Sequence, residues 1–126
     1  MKKLIFLFSL FIAFQAVAQE GIRFRHCSWE EAKAMAKKEK KPIFIDFYTQ
    51  WCGPCLNMAE NIFTLGNVGN FYNDHFVCLK IDAETGEGVE LAKKYEVASF
   101  PTFVFVNPKT EKAIHISGRN QDRENF

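Results

Sequence analysis

The chain has little net charge, few histidines and no long apolar stretch beyond its first residues. Each shortage closes off a class of function. Sixteen basic and fifteen acidic residues leave a formal charge of +1, which gives no footing for nucleic acid or an anionic membrane surface as partner. The histidines, His26, His75 and His115, are scattered, and no second pair of side chains stands at metal-ligand spacing, so neither a metal nor a cofactor is expected. Linkers, internal repeats and low-complexity segments are absent. Beyond Phe14 no segment is apolar enough to cross a bilayer.

The apolar residues the chain does concentrate come first. Met1-Lys2-Lys3 is a basic start, Leu4 to Phe14 is an almost unbroken apolar run, and Gln15-Ala16-Val17-Ala18 places small residues where a signal peptidase reads them. This order is that of a secretory signal, with cleavage expected between Ala18 and Gln19. The competing reading is a membrane anchor. The eleven residues of the run would rise about 16 Å as a helix, against a hydrocarbon core of roughly 30 Å. No cysteine follows the run to carry a lipid. Residues 1–18 are thus read as a signal peptide and 19–126 as one small domain of 108 residues. The leader holds two of the 16 basic residues and no acid, so that domain carries a formal charge of −1.

Along the domain, Ile22–Phe24 is expected as a first edge strand. Ser28 and Glu31 fit a capping box that opens a helix running to about Lys40, where Lys41-Pro42 stops it. Ile43 to Tyr48 is a continuous apolar and aromatic run with Asp46 inside it, and reads as a strand buried on both faces. A helix is expected to start inside the cysteine motif and to continue through Met58, Ile62 and Phe63. Gly66 and Gly69 are expected to break it, with a short helical turn near Phe71. Strands at Phe76–Ile81 and Phe103–Val106 flank a helix at Glu87–Tyr95. Asn107 to Thr110 makes a turn into a final antiparallel strand at Lys112–Ser117. Parallel crossovers followed by a closing hairpin imply an α/β domain, a central mixed sheet with helices on both faces. Of the fourteen phenylalanines, ten fall within residues 19–126, and many of them, beside β-branched residues, can fill its core.

Four cysteines remain, Cys27, Cys52, Cys55 and Cys78. An even count in an exported chain suggests structural bridges. A pair two residues apart is a poor staple, however, because the loop it closes is tiny. Cys52-Gly53-Pro54-Cys55 instead sits just after a buried strand and at the start of a helix, where unpaired backbone N–H groups favour a thiolate. Cys55, three residues on, can attack a mixed disulfide formed by Cys52. Gly53 is read as allowing a tight turn and Pro54 as a helix-starting residue. Two coupled thiols held this way make a two-electron exchanger.

Trp51-Cys52-Gly53-Pro54-Cys55 resembles the active-site signature of the thioredoxin family, and the likeness extends over residues 22–120. Asp46 stands six residues before Cys52, where thioredoxins carry a buried acid. Phe100-Pro101-Thr102 resembles their cis-proline loop, and Gly118 a glycine after the last hairpin strand. The helix before Lys41-Pro42 and the Trp51–Met58 pattern are most similar to exported thioredoxin-like proteins of Gram-negative bacteria. The resemblance implies a thioredoxin fold and a protein-disulfide oxidoreductase, periplasmic or secreted. Cys52 would attack, Cys55 would resolve, and the two would cycle through a Cys52–Cys55 disulfide. Asp46, its pKa raised in an apolar strand, would take the proton from Cys55. Trp51, Gly53, Pro54, Phe100 and Pro101 would form the substrate-docking surface. Implied partners are exported proteins with disulfides and a membrane-borne electron donor, with the chain itself a monomer. Gly53-Pro54 resembles the reducing members of the family more than the oxidising ones, with oxidation or isomerisation of substrates left as the alternatives.

Rival readings stand beside these. Asp46 could be an ordinary strand residue satisfied by backbone, Pro101 a trans proline, and the cysteine pair half of a zinc site. The fold could serve as a binding or chaperone module that uses its groove without turnover. Cys78 alternates with Val77 and Leu79 and reads as a small buried hydrophobe, at a place where many thioredoxins carry a lysine near the buried acid; Lys80 on the same strand face is the substitute. Cys27 reads as exposed or half-buried, and a Cys27–Cys78 bridge stays open. Arg119–Phe126 is too short for the closing helix of the family.

Overall fold

The computed structural model describes residues 20–118. The expected leader, its cleavage point, and the terminal segment from Arg119 onward lie outside the described residues. The elements are α1 (Trp29–Glu39), β1 (Ile43–Tyr48), α2 (Gly53–Asn61), α3 (Gly66–His75), β2 (Val77–Asp82), α4 (Gly88–Lys94), β3 (Thr102–Val106) and β4 (Ala113–Gly118). They build one mixed sheet in the order β2-β1-β3-β4. β1 and β2 run parallel, whereas β3 lies antiparallel to both β1 and β4.

Local chemistry sets the helix ends. Ser28 Oγ accepts the Glu31 N–H at 3.2 Å and Glu31 Oε2 accepts the Ser28 N–H at 3.0 Å. That reciprocal cap satisfies two donors that the first turn leaves over. Lys40 closes α1 in the left-handed region at φ 55°, and its N–H bonds the carbonyls of Ala36 and Lys37. α2 begins directly after Cys52, with Pro54 in its first turn where no N–H is needed.

Because the sheet is central, it carries a core on each face. One face packs Ile43, Ile45, Phe47, Leu79 and Val104 against Ala32 and Ala36 of α1 and Leu91 and Ala92 of α4. The other packs Phe44, Cys78 and Phe103 against Met58 of α2, Tyr72 of α3, and Ile62 and Phe63. Phe44 is fully buried, with Tyr72, Phe105 and Phe103 ring centroids at 4.8, 5.1 and 5.8 Å. β1 is thus buried on both sides, which is why its sequence does not alternate.

Two expectations are corrected. The first edge strand reduces to a single bridge between Phe24 and Cys78. The backbone around it is committed elsewhere: Ile22 N–H donates to Phe63 O at 2.8 Å and Arg23 N–H to Asn73 Oδ1 at 2.8 Å. Second, Gly66 and Gly69 do not confine helix to a turn near Phe71, because both lie within the ten-residue α3. Gly69 is buried against the backbone of Gly21, where a Cβ would overlap the Gly21 carbonyl group. Close approach of two backbones, not chain reversal, is what this glycine provides.

Cys27 and Cys78 are free thiols. Cys78 belongs to the core under α2 and α3, while Cys27 packs against the core under α1 and α4. The sheet lies between them, so no bridge forms.

Candidate active site

The C-terminal ends of β1 and β2 and the loop before β3 bring the candidate residues together. Cys52 is the N-cap of α2, with its sulfur 3.1 Å from the Cys55 N–H that it accepts. Cys52 and Cys55 are joined in a disulfide, with Cα atoms 5.3 Å apart. Both are nearly buried, at 7% and 4% exposure. A helix N-terminus directs unpaired N–H groups at whatever occupies its cap, here a sulfur.

Asp46 lies on the face of β1 that also carries Phe44, so it sits beneath the layer formed by α2. It is 1% exposed, and neither carboxylate oxygen has a hydrogen-bond partner among the described residues. The backbone satisfaction considered as its ordinary role is therefore absent. Burial raises its pKa to about 7, and the Lys80 ammonium partly offsets this. Thr49 Oγ1 is likewise buried without a partner. A cavity of about 150 Å³ opens beside Thr49, lined by Tyr48, Gln50, Cys55, Leu56, Ala59 and Lys80 as well.

Phe100–Pro101 is a cis peptide bond, and Pro101 is buried at the foot of β3. Trp51 is 72% exposed and meets the Phe100 ring edge-on at 6.1 Å between centroids. Together they form an aromatic surface beside the disulfide. Gly53 is exposed as the first residue of α2, and a Cβ there would meet nothing within 4 Å. Its φ is not in the left-handed region, so the tight turn read for this glycine does not require one.

Some supporting residues were not legible in the motif. Trp51 Nε1 donates to the Glu84 carboxylate. Asp82 Oδ1 accepts the Glu84 N–H at 2.9 Å and its Oδ2 accepts Gln50 Nε2 at 3.1 Å. The loop after β2 thus braces the residues just before Cys52. The available signal was the parallel pairing itself, which puts Asp82 opposite Tyr48 and carries Glu84 past the end of β1 toward Trp51.

Known proteins share the fold that carries this site. A family model described as thioredoxin-like matches residues 24–108. Thioredoxin-1 of Drosophila yakuba is 40% identical over 74 residues, which are 59% of this chain and 64% of that protein. The chloroplastic thioredoxin-like protein CITRX of Arabidopsis thaliana is 31% identical over 102 residues, 79% of this chain and 53% of that one. The chain therefore spans less than two thirds of the length of these curated relatives. Among solved structures, one from Bacteroides thetaiotaomicron, described as a candidate disulphide-isomerase, superposes with a TM-score of 0.75 at 40% identity, covering 84% of this chain and 87% of that one. A thioredoxin from Thermus thermophilus gives a TM-score of 0.73 at 27% identity, covering 84% and 82%. With a mixed four-stranded sheet between two helical layers and a Cys52–Cys55 pair capping α2, the chain belongs to the thioredoxin-like family.

Proposed function

We propose that the chain is a thiol–disulfide oxidoreductase that reduces disulfides of exported proteins in the periplasm or outside the cell. The observation that carries this is the cysteine pair at the cap of α2 with a buried, unpartnered carboxyl on the strand beneath it. A module that only bound partners would gain nothing from leaving Asp46 unsatisfied, since burying a carboxyl without a partner costs stability.

The reaction starts from the dithiol. The Cys52 thiolate attacks one sulfur of a substrate disulfide, forming a mixed disulfide and releasing the first substrate thiolate, which takes a proton from solvent. The Cys55 thiol then passes its proton to Asp46 and attacks Cys52 Sγ. The mixed disulfide breaks, the second substrate thiolate leaves, and the Cys52–Cys55 disulfide forms. Two electrons pass to the substrate, and an external dithiol donor, read as membrane-borne, restores the pair. Asp46 suits the proton step because a base with a pKa of about 7 accepts and returns a proton near neutral pH. The exposed Trp51 and the Phe100–Pro101 loop would receive the segment flanking the substrate disulfide.

Two measurements test the proposal. Cys55→Ser is expected to stall as a covalent adduct with a disulfide substrate, visible by mass spectrometry and released by dithiothreitol, while Cys52→Ser forms none. Adduct formation by neither variant sinks the exchange reading. Equilibration of the pair against glutathione mixtures then fixes direction: a strongly reducing potential supports a reductase, and a potential near that of oxidising folding catalysts reverses it.

A further inference from the structure

At the end of the sheet opposite the disulfide, a groove of about 490 Å³ runs between the C-terminal turn of α1 and the β3–β4 hairpin. Its apolar floor is Ala36, Pro42, Pro108 and Ile114, and its rim is Lys37, Lys40, Lys41 and Lys109. Lys41 is committed, donating to Asn73 O at 3.0 Å. Lys37, Lys40 and Lys109 are exposed and form no ion pair or side-chain hydrogen bond among the described residues. The turn presenting Lys109 is held in place, since Asn107 Oδ1 accepts the Lys109 and Thr110 N–H groups at 2.9 and 3.3 Å.

Lysines at the C-terminal end of a helix are favoured by its dipole, which accounts for Lys37 and for Lys40 at the cap. It does not account for Lys109 arriving from the hairpin on the far wall, nor for the apolar strip between the walls. Ile114 and Ile116 alternate along β4 and stay 63% and 49% exposed. β4 is also the end strand of the sheet, so its outer edge has no strand partner among the described residues. An open apolar strip beside a free edge, under three unpaired cations in a nearly neutral chain, has the makings of a recognition surface.

We infer that this groove docks an acidic segment of a partner protein, with an apolar side chain lodged at Ile114 and carboxylates facing Lys37, Lys40 and Lys109. Charge complementarity selects the acidic partner. The concave apolar floor selects a peptide over a membrane, because a flat headgroup layer would leave Ile114 and the pocket beneath it unfilled. A second copy of this chain would bring lysines against lysines. The six residues of β1 separate the groove from the disulfide by about 20 Å, so a partner can hold this surface while the cysteines stay accessible.

The test uses fluorescence anisotropy with a labelled, end-blocked peptide Asp-Glu-Leu-Glu-Asp, its amide counterpart Asn-Gln-Leu-Gln-Asn, and phosphatidylglycerol vesicles. The acidic peptide is expected to bind and the amide peptide to bind at least about tenfold more weakly, with affinity falling as salt is raised. A Lys37→Glu/Lys40→Glu/Lys109→Glu variant is expected to lose about tenfold for the acidic peptide, while exchange of a small disulfide at Cys52 is unchanged. Ile114→Ser tests the apolar anchor and is also expected to weaken binding. Equal affinity for both peptides, or undiminished binding by the charge-reversed variant, overturns the proposal. Binding to vesicles without binding to the acidic peptide overturns it in favour of a membrane. Loss of disulfide exchange with peptide binding intact would count against the redox reading alone.

Discussion

Asp46 and Lys80 are direct cross-strand neighbours on β1 and β2, yet the lysine does not bond the carboxylate. Its ammonium lies 5.0 Å from the centroid of the Tyr48 ring and 6.0 Å from that of Phe24. The two rings hold the cation to the side of the acid, where it tempers the acid's raised pKa without neutralising it. Replacing Lys80 with Met removes the nearby positive charge that lowers the Asp46 pKa. The acidic limb of the pH–rate profile for disulfide exchange is expected to move to higher pH. An unmoved limb would separate that limb from Asp46.

Asp46 also makes stability depend on pH. Its pKa rises from 3.8 unfolded to about 7 folded, so the folded state holds the proton more tightly. Its ionisation therefore costs nothing below the unfolded value, costs increasingly as pH climbs from there to about 7, and costs a constant amount above. Asp46→Asn removes that dependence. Relative to wild type the variant is expected to gain about 2–3 kcal/mol between about pH 5 and about pH 8, measured by urea denaturation. It should also slow the resolving step at neutral pH by about a hundredfold. Parallel pH curves for the two proteins would contradict the burial account.

Glu111, in the β3–β4 hairpin, ties three elements together. Its Oε1 accepts Trp29 Nε1 at 3.0 Å and Lys94 Nζ at 2.7 Å, with Lys33 Nζ at 3.4 Å. The Lys94 and Trp29 hydrogen bonds lower its pKa from 4.5 to about 2. A depressed carboxyl stabilises the fold above its unfolded value, and that contribution fades as pH falls toward about 2. Glu111→Ala is expected to cost about 1 kcal/mol at neutral pH, chiefly through the unpaired Trp29 indole, and to lose part of the acid sensitivity of wild type. Thermal melts at neutral and acidic pH read both effects.

Gly69→Ala probes the backbone crossing beneath α3. In an open helix the change would stabilise by up to about 1 kcal/mol. Here the added methyl overlaps the Gly21 carbonyl, so a loss of about 2–3 kcal/mol is expected. Gly66→Ala, whose methyl meets nothing within 4 Å, is the control and should be neutral or mildly stabilising. Equal effects at both positions would contradict the packing account.

How much could be read in advance followed the range of the interactions. The Ser28–Glu31 cap, the Lys41-Pro42 stop, the doubly buried Ile43–Tyr48 run and the Asn107–Thr110 turn all depend on neighbours within a few residues, and all lie where the local pattern puts them. The Cys52–Cys55 spacing worked the same way, because the end of a buried strand and the start of a helix are both local events. Gly69 ran against its local pattern for the opposite reason. Its helix-breaking tendency is local, but the contact with Gly21 that makes a small residue necessary comes from 48 positions away.

By itself, then, the amino-acid sequence determined most of the element types, with the Ile22–Phe24 strand and the extent of α3 as the exceptions, together with the central strand buried on both sides and the placing of two thiols at a helix cap, since periodicity, capping and proline geometry act over one or two turns. The tertiary structure alone decided that Cys27 and Cys78 sit on opposite sides of the sheet, that the Asp46 carboxylate has no hydrogen-bond partner among the described residues while Lys80 is held off by two rings, and that Glu84 grips Trp51. Those relations depend on strand order and register, which arise when two separate cores close on the same sheet. No local pattern carries that information, because it exists only once distant segments exclude water from one another.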